Sequence, residues 1–271
     1  MAQISAVTKA ASKTGRARRI TFYVAVGLTL AAMAVYPPLL TGPVVAWLDE
    51  SVINSLFGEE GLGVHRTHLV GASLLFWLTI VAMISQFRLP ETKPAPLWAA
   101  AVAWVVFLPL ELTHLVDPFS IIVTVLVVSV VALHPRRWPE NPLEWRARAR
   151  MVAFIGAAAG VVYTSRQAIF QVGGIPQDSH VASSHYALMA AMAIGLTVST
   201  LLGATNFPGR RISAWTTGIM TVILGIFFIG HPDQASSLGV AWGILIIGWA
   251  VLYLWAATRS PRATPAVEAA G

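Results

Sequence analysis

Apolar residues in this chain fall into long runs broken by short polar connections, without the alternating or three-to-four-residue patterns of a soluble fold. The runs lie at about 20–40, His68 to Phe87, Leu97 to His114, Phe119 to Leu133, Met151 to Phe170, His185 to Thr205, Ile212 to Gly230 and Ser236 to Ala257. Each approaches the roughly 20 residues with which a helix crosses a bilayer. In hydrocarbon, a helix satisfies every backbone amide within its own segment. The pattern therefore predicts an all-α polytopic membrane protein of about eight transmembrane helices, several of them short. Residues 1–19 form a basic N-terminal tail, 20–135 a first four-helix half, 136–150 a basic linker, 151–257 a second half, and 258–271 a disordered tail. Within the first half, residues 43–62 differ: Val45, Leu48, Val52 and Leu56 recur at helical spacing with Asp49, Glu50 and Asn54 between them. That is the pattern of a short amphipathic helix lying at the membrane interface. Residues 1–34 also fit a signal peptide ending at Ala32-Met33-Ala34. The apolar run passes that point and reaches spanning length, which favours a retained first helix.

Composition sharpens the picture. The chain has 271 residues, 56% hydrophobic and 11% charged, with a mean hydropathy of +0.69, far from a soluble domain. Eight spans leave no room for a separate soluble domain. Cysteine is absent, which excludes disulfides, thiolate metal sites and iron–sulfur clusters. The net charge of +6 would suggest nucleic acid in a soluble protein, but 16 of the 18 Lys and Arg fall in the tails and on one set of connections between runs. Only Arg66 and Arg166 fall on the other side. The positive-inside rule then places both termini in the cytoplasm of a cell-membrane protein, with the lipid bilayer as the partner and no nucleic acid.

The opposite face gathers Asp49, Glu50, Glu59, Glu60, Glu111, Asp117, Asp178 and Asp233, and six of the seven histidines: His65, His68, His114, His180, His185 and His231. His68 and His114 are 46 residues apart, as are His185 and His231, and the two pairs are offset by 117. Trp98 and Trp215, and Ser120 and Ser237, share that offset. This predicts two similar four-helix halves related by an axis along the membrane normal.

The chemistry on that face is that of ligands. His65 and His68 in "HRTH", and Glu111 and His114 in "ELTHLVDP", stand three apart and share a helical face. "DSHVASSH" supplies Asp178, His180 and His185, and "GHPD" supplies His231 and Asp233. Histidine with carboxylate suits copper, zinc, iron or manganese, the carboxylates acting as ligands or as tautomer-fixing partners. Alternatively His68 with His114, and His185 with His231, would each clamp a haem such as haem b. The blander reading is that interfacial His, Asp and Trp simply anchor helix ends. Glu111 and Arg166 are costly near lipid unless paired, so an ion pair between the halves is expected. The small residues of Gly156 to Gly160, and Gly203, fit close helix packing. No P-loop, dinucleotide fingerprint, HExxH or nucleophile elbow occurs, so whether the chain is an enzyme stays open.

The layout, two four-helix units with paired outer histidines, resembles that of haem A synthases. In that family the pairs fall on the second and fourth spans of each half; here they fall on the second and third, and no functional residue is carried over. The leading expectation is metal or haem binding at the histidine face, in redox or metal handling. The rivals are a proton-linked transporter and a non-catalytic subunit with a membrane-complex partner.

Overall fold

The computed structural model describes residues 2–48, 51–52, 66–114, 117–135, 144–174 and 179–259. His65, Asp178, most of the 43–62 segment, linker residues 136–143 and nearly all of the C-terminal tail lie outside these, and for His180 the backbone alone is described. The described residues form helices α1 (Ala2–Ala34), α2 (Pro37–Val45), α3 (Arg66–Ile84), α4 (Pro94–Glu111), α5 (Pro118–Leu133), α6 (Ala147–Gly173), the single turn α7 (Ser179–Ala182), α8 (His185–Gly203), α9 (Arg210–Gly230) and α10 (Gly239–Thr258). No strand occurs among them.

Seven of these helices are long and apolar enough to cross a membrane. Apolar helix α5 has only 16 residues, a rise of about 24 Å at 1.5 Å per residue, short of a hydrocarbon core roughly 30 Å thick. Its ends explain its length. Asp117 caps the start, its carboxylate accepting from Phe119 N at 3.0 Å, with Pro118 at the first helical position. At the other end, Pro135 follows His134 and disfavours helical backbone there. The first apolar run is broken at Tyr36-Pro37, where α1 gives way to α2. Proline has no amide hydrogen to continue the ladder.

Helices α3 and α8 are the most buried, and α1, α6 and α10 turn much of their surface outward. Side chains such as Val24, Leu28, Val162, Ile169, Ile244 and Leu245 are more than half exposed, the state expected of groups solvated by lipid. Helix α8 packs on α3, α4, α6 and α9. Small residues permit these crossings. A Cβ on Gly195 of α8 would lie 2.6 Å from Leu78 Cδ2 and 2.9 Å from Ala103 Cβ. Gly225 and Gly243 face each other's carbonyls where α9 crosses α10. Gly156, Gly160 and Gly203 likewise abut Trp249, Thr197 and Tyr253, as the sequence pattern predicts.

The Arg-rich end is tied by side-chain bonds to carbonyls left over at helix ends. Arg18 of α1 donates to Leu133 O at 3.2 Å and His134 O at 2.7 Å. His134 Nε2–H in turn donates to Pro90 O at 3.0 Å, and Arg210 donates to Ala257 O at 3.2 Å. The only ion pair among the described residues, Arg19–Glu91 at 3.9 Å, also lies here and is exposed.

Candidate functional site

The opposite end holds His68, His114, His185 and His231. His68 lies in the first turn of α3, 1% exposed. His185 opens α8. Because α3 and α8 are neighbours at the bundle centre, two side chains 117 positions apart in the chain meet there, with ring centres 5.2 Å apart and planes 31° apart. Tyr186 closes on His68 edge-on at 5.5 Å.

A polar network holds this pair. Ser236 Oγ lies 2.8 Å from His68 Nε2 and donates to Gln167 Oε1 at 2.8 Å. A hydroxyl has one hydrogen, so Ser236 accepts from His68 Nε2–H. That fixes the imidazole tautomer and makes Nδ1 the lone-pair nitrogen of the neutral ring. Tyr163 OH donates to Ser236 O at 2.8 Å, and the Gln167 side-chain amide nitrogen is buried without a protein partner. Thr67 N donates to Gln234 Oε1 at 3.0 Å, binding the same loop to α3.

Backbone strain concentrates here as well. Of three non-glycine residues with positive φ among those described, Ser184 (+57°) precedes His185 and Ser236 (+67°) contacts His68; the third is Leu89. Left-handed backbone at a non-glycine residue costs about 1–2 kcal/mol, and such strain clusters at functional sites.

The remaining predicted ligands among the described residues disperse. His114 lies at the end of α4 and donates from Nε2 to Gln171 O of α6 at 2.8 Å. Gln171 is itself a junction: its Nε2 donates to Val181 O at 2.9 Å, and its Oε1 accepts from Ala187 N at 3.2 Å. Glu111, 3% exposed, turns to α5, where Ser120 Oγ lies 2.9 Å from Glu111 Oε1 and 3.2 Å from Asp117 Oδ2. Arg166 rests over the Phe170 ring at 4.9 Å. The expected Glu111–Arg166 ion pair does not form: the Glu111 carboxylate is taken by Ser120 of α5, while Arg166 lies over Phe170 on its own helix. His231 packs between Trp47 (4.8 Å) and Phe227 (5.8 Å). Burial there, and then the Arg66 charge, hold its pKa below the ordinary histidine value. Asp233 is exposed.

Among the described residues no three His, Asp or Glu side chains gather into a metal-holding group. The within-half pairings expected for haem are not the ones seen: His68 meets His185, while His114 and His231 have other neighbours. The described candidates divide because helix ends in a bundle ring a perimeter: central helices α3 and α8 bring His68 and His185 together, while Glu111 and Asp117 share Ser120 apart from them. Ser236, Gln167, Tyr163 and Tyr186 were not singled out by sequence reasoning. Their only sequence signal was polarity in or beside an apolar run. No protein-family model, curated protein or solved structure matches this chain, and the layout likeness to haem A synthases gains no support from them.

Proposed function

We propose that this is a cell-membrane protein, both termini cytoplasmic, that binds a divalent transition metal ion at the His68–His185 pair, in metal handling or redox chemistry. On this reading α5 is the eighth span, and the two central histidines are equivalent positions of two related four-helix halves. The observation that carries it is the meeting of the two rings across the halves. Two imidazoles bound to one tetrahedral ion at about 2.0–2.1 Å set their centres about 5 Å apart, which suits the observed 5.2 Å. Axial ligands on opposite faces of one haem iron would stand about 6 Å apart, with a macrocycle between them, so the spacing favours zinc or copper over haem. The Ser236 bond to His68 is the kind of partner that orients a ligating histidine. Two imidazoles do not complete a coordination shell. In sequence, His65 precedes His68 by three residues, and Asp178 and His180 precede His185 by seven and five; these are the residues this reading assigns to the rest of it.

A proton-linked transporter has less support. The buried histidine and carboxylate side chains among the described residues are His68 and Glu111 at the histidine end and His134 at the Arg-rich end, whereas a coupled proton path needs ionisable groups along its length. Elemental analysis of the purified full chain tests the proposal. About one zinc or copper per chain is expected, lost in His68→Ala and in His185→Ala but kept in His114→Ala. No stoichiometric metal, or metal retained in the double variant, would overturn it. A Soret band would do so in favour of haem. A protein partner that copurifies at constant ratio, with no metal, would instead indicate a non-catalytic subunit.

A further inference from the structure

A groove of about 710 Å³ runs between α3 and α9, away from the histidine network. Its walls are Trp77 and Ile80 of α3 and Trp215 and Ile219 of α9; Leu40 lies at one end and Arg211 at the other. Trp215 and Ile219 are 52% and 50% exposed, although they line a concavity, so whatever solvates the helix bundle reaches them.

Three features define the occupant. The first is length. From Arg211 to Met220, both lining residues, α9 rises about 14 Å at 1.5 Å per residue, close to the roughly 15 Å hydrocarbon half-thickness of a single leaflet. The far end lies deep in the bundle, since Trp77, eleven residues into α3, donates its indole N–H to Leu40 O at 3.0 Å. The second is charge. Arg211 is the one charged side chain lining the groove and sits at its mouth, on the end that carries Arg18, Arg88, Lys93, Arg146 and Arg210. Arg210 itself is turned to α10, donating to Ala257 O. The third is the mouth itself, where Arg211 and Trp215 stand one turn apart on one face, a guanidinium and an indole at headgroup depth. Basic pockets between membrane helices recognise anionic headgroups, and a guanidinium matches a phosphate through paired hydrogen bonds.

We propose that this groove holds one acyl chain of an anionic phospholipid from the leaflet at the Arg-rich face, with its phosphate on Arg211. The site is independent of the metal reading. It is tested with the full chain reconstituted in nanodiscs containing equal phosphatidylglycerol and phosphatidylcholine, followed by release into detergent and native mass spectrometry of the lipids retained. Wild type should retain phosphatidylglycerol about fivefold over phosphatidylcholine, the effect of one basic residue at a lipid surface. Arg211→Gln should reduce that preference to near unity, and Ile219→Trp, which fills the groove, should reduce retention of both lipids. Ile219→Ala, which only widens it, should keep the preference and guards against a fold defect. Inorganic phosphate at millimolar concentration should not displace the lipid, since the chain supplies most of the contact. Equal retention of the two lipids by wild type, an unchanged preference in Arg211→Gln, displacement by phosphate alone, or crosslinks from Trp215 to a copurifying protein would each overturn the assignment.

Discussion

Replacing Ser236 tests whether the network around the histidine pair is held by hydrogen bonds against backbone strain. Ser236 is 3% exposed, accepts from His68 Nε2, donates to Gln167 Oε1, both at 2.8 Å, and does so at φ +67°. Ser236→Ala deletes both side-chain bonds and keeps the strained backbone. Hydrogen bonds between membrane helices are worth about 0.6 kcal/mol on average and up to about 1.7, so the loss should be roughly 1–3 kcal/mol. Ser236→Gly deletes the same bonds but removes the Cβ that makes left-handed backbone costly, recovering about 1 kcal/mol. The order of stability should therefore be wild type, then glycine, then alanine. Reversible unfolding in mixed micelles with increasing dodecyl sulfate, followed by tryptophan fluorescence and circular dichroism, measures the three. An alanine variant within about 0.3 kcal/mol of wild type would show that the bonds contribute nothing net. A glycine variant less stable than alanine would refute the strain argument.

Other consequences follow from single contacts. Gly195→Leu should destabilise the bundle by about 1–3 kcal/mol through overpacking, while Gly248→Leu, where nothing lies within 4 Å of a new Cβ, should be near neutral; the same unfolding assay compares them. Since burial and Arg66 lower the pKa of His231 in the folded state, the unfolded chain binds the proton more tightly. Stability from this group is complete above the unfolded value of about 6.5 and declines as pH falls below it, toward the depressed folded value. Unfolding between about pH 7.5 and 5.5 should show a smaller pH dependence in His231→Phe than in wild type, and equal dependence would refute the assignment. Arg18→Met should free the carbonyls of Leu133 and His134, and faster hydrogen exchange at the C-terminal end of α5 would report it.

The apolar runs specified the helices because lipid leaves backbone amides no other partner. Most of the apolar helices, the basic end and the small residues at crossings were therefore legible in the sequence, and seven helices long and apolar enough to cross a membrane stand where apolar runs lie. The break at Tyr36-Pro37 was readable in principle from Pro37 and Pro38, yet continuous hydropathy concealed it. The shortness of α5 followed from the Asp117-Pro118 start and from Pro135 just beyond its end. That His68, His114, His185 and His231 lie toward one end of their helices likewise followed from where the apolar runs begin and stop. Which of them touch was not. Equal spacing within each half suggested His68 with His114 and His185 with His231, but helix rotation and neighbour choice carry no signature in hydropathy. Packing of α3 against α8 put His68 beside His185, sent His114 to a carbonyl of α6, and left His231 on an aromatic shelf. Sequence period fixes which element a residue belongs to and at which end; only side-chain volumes meeting in three dimensions decide what that residue faces.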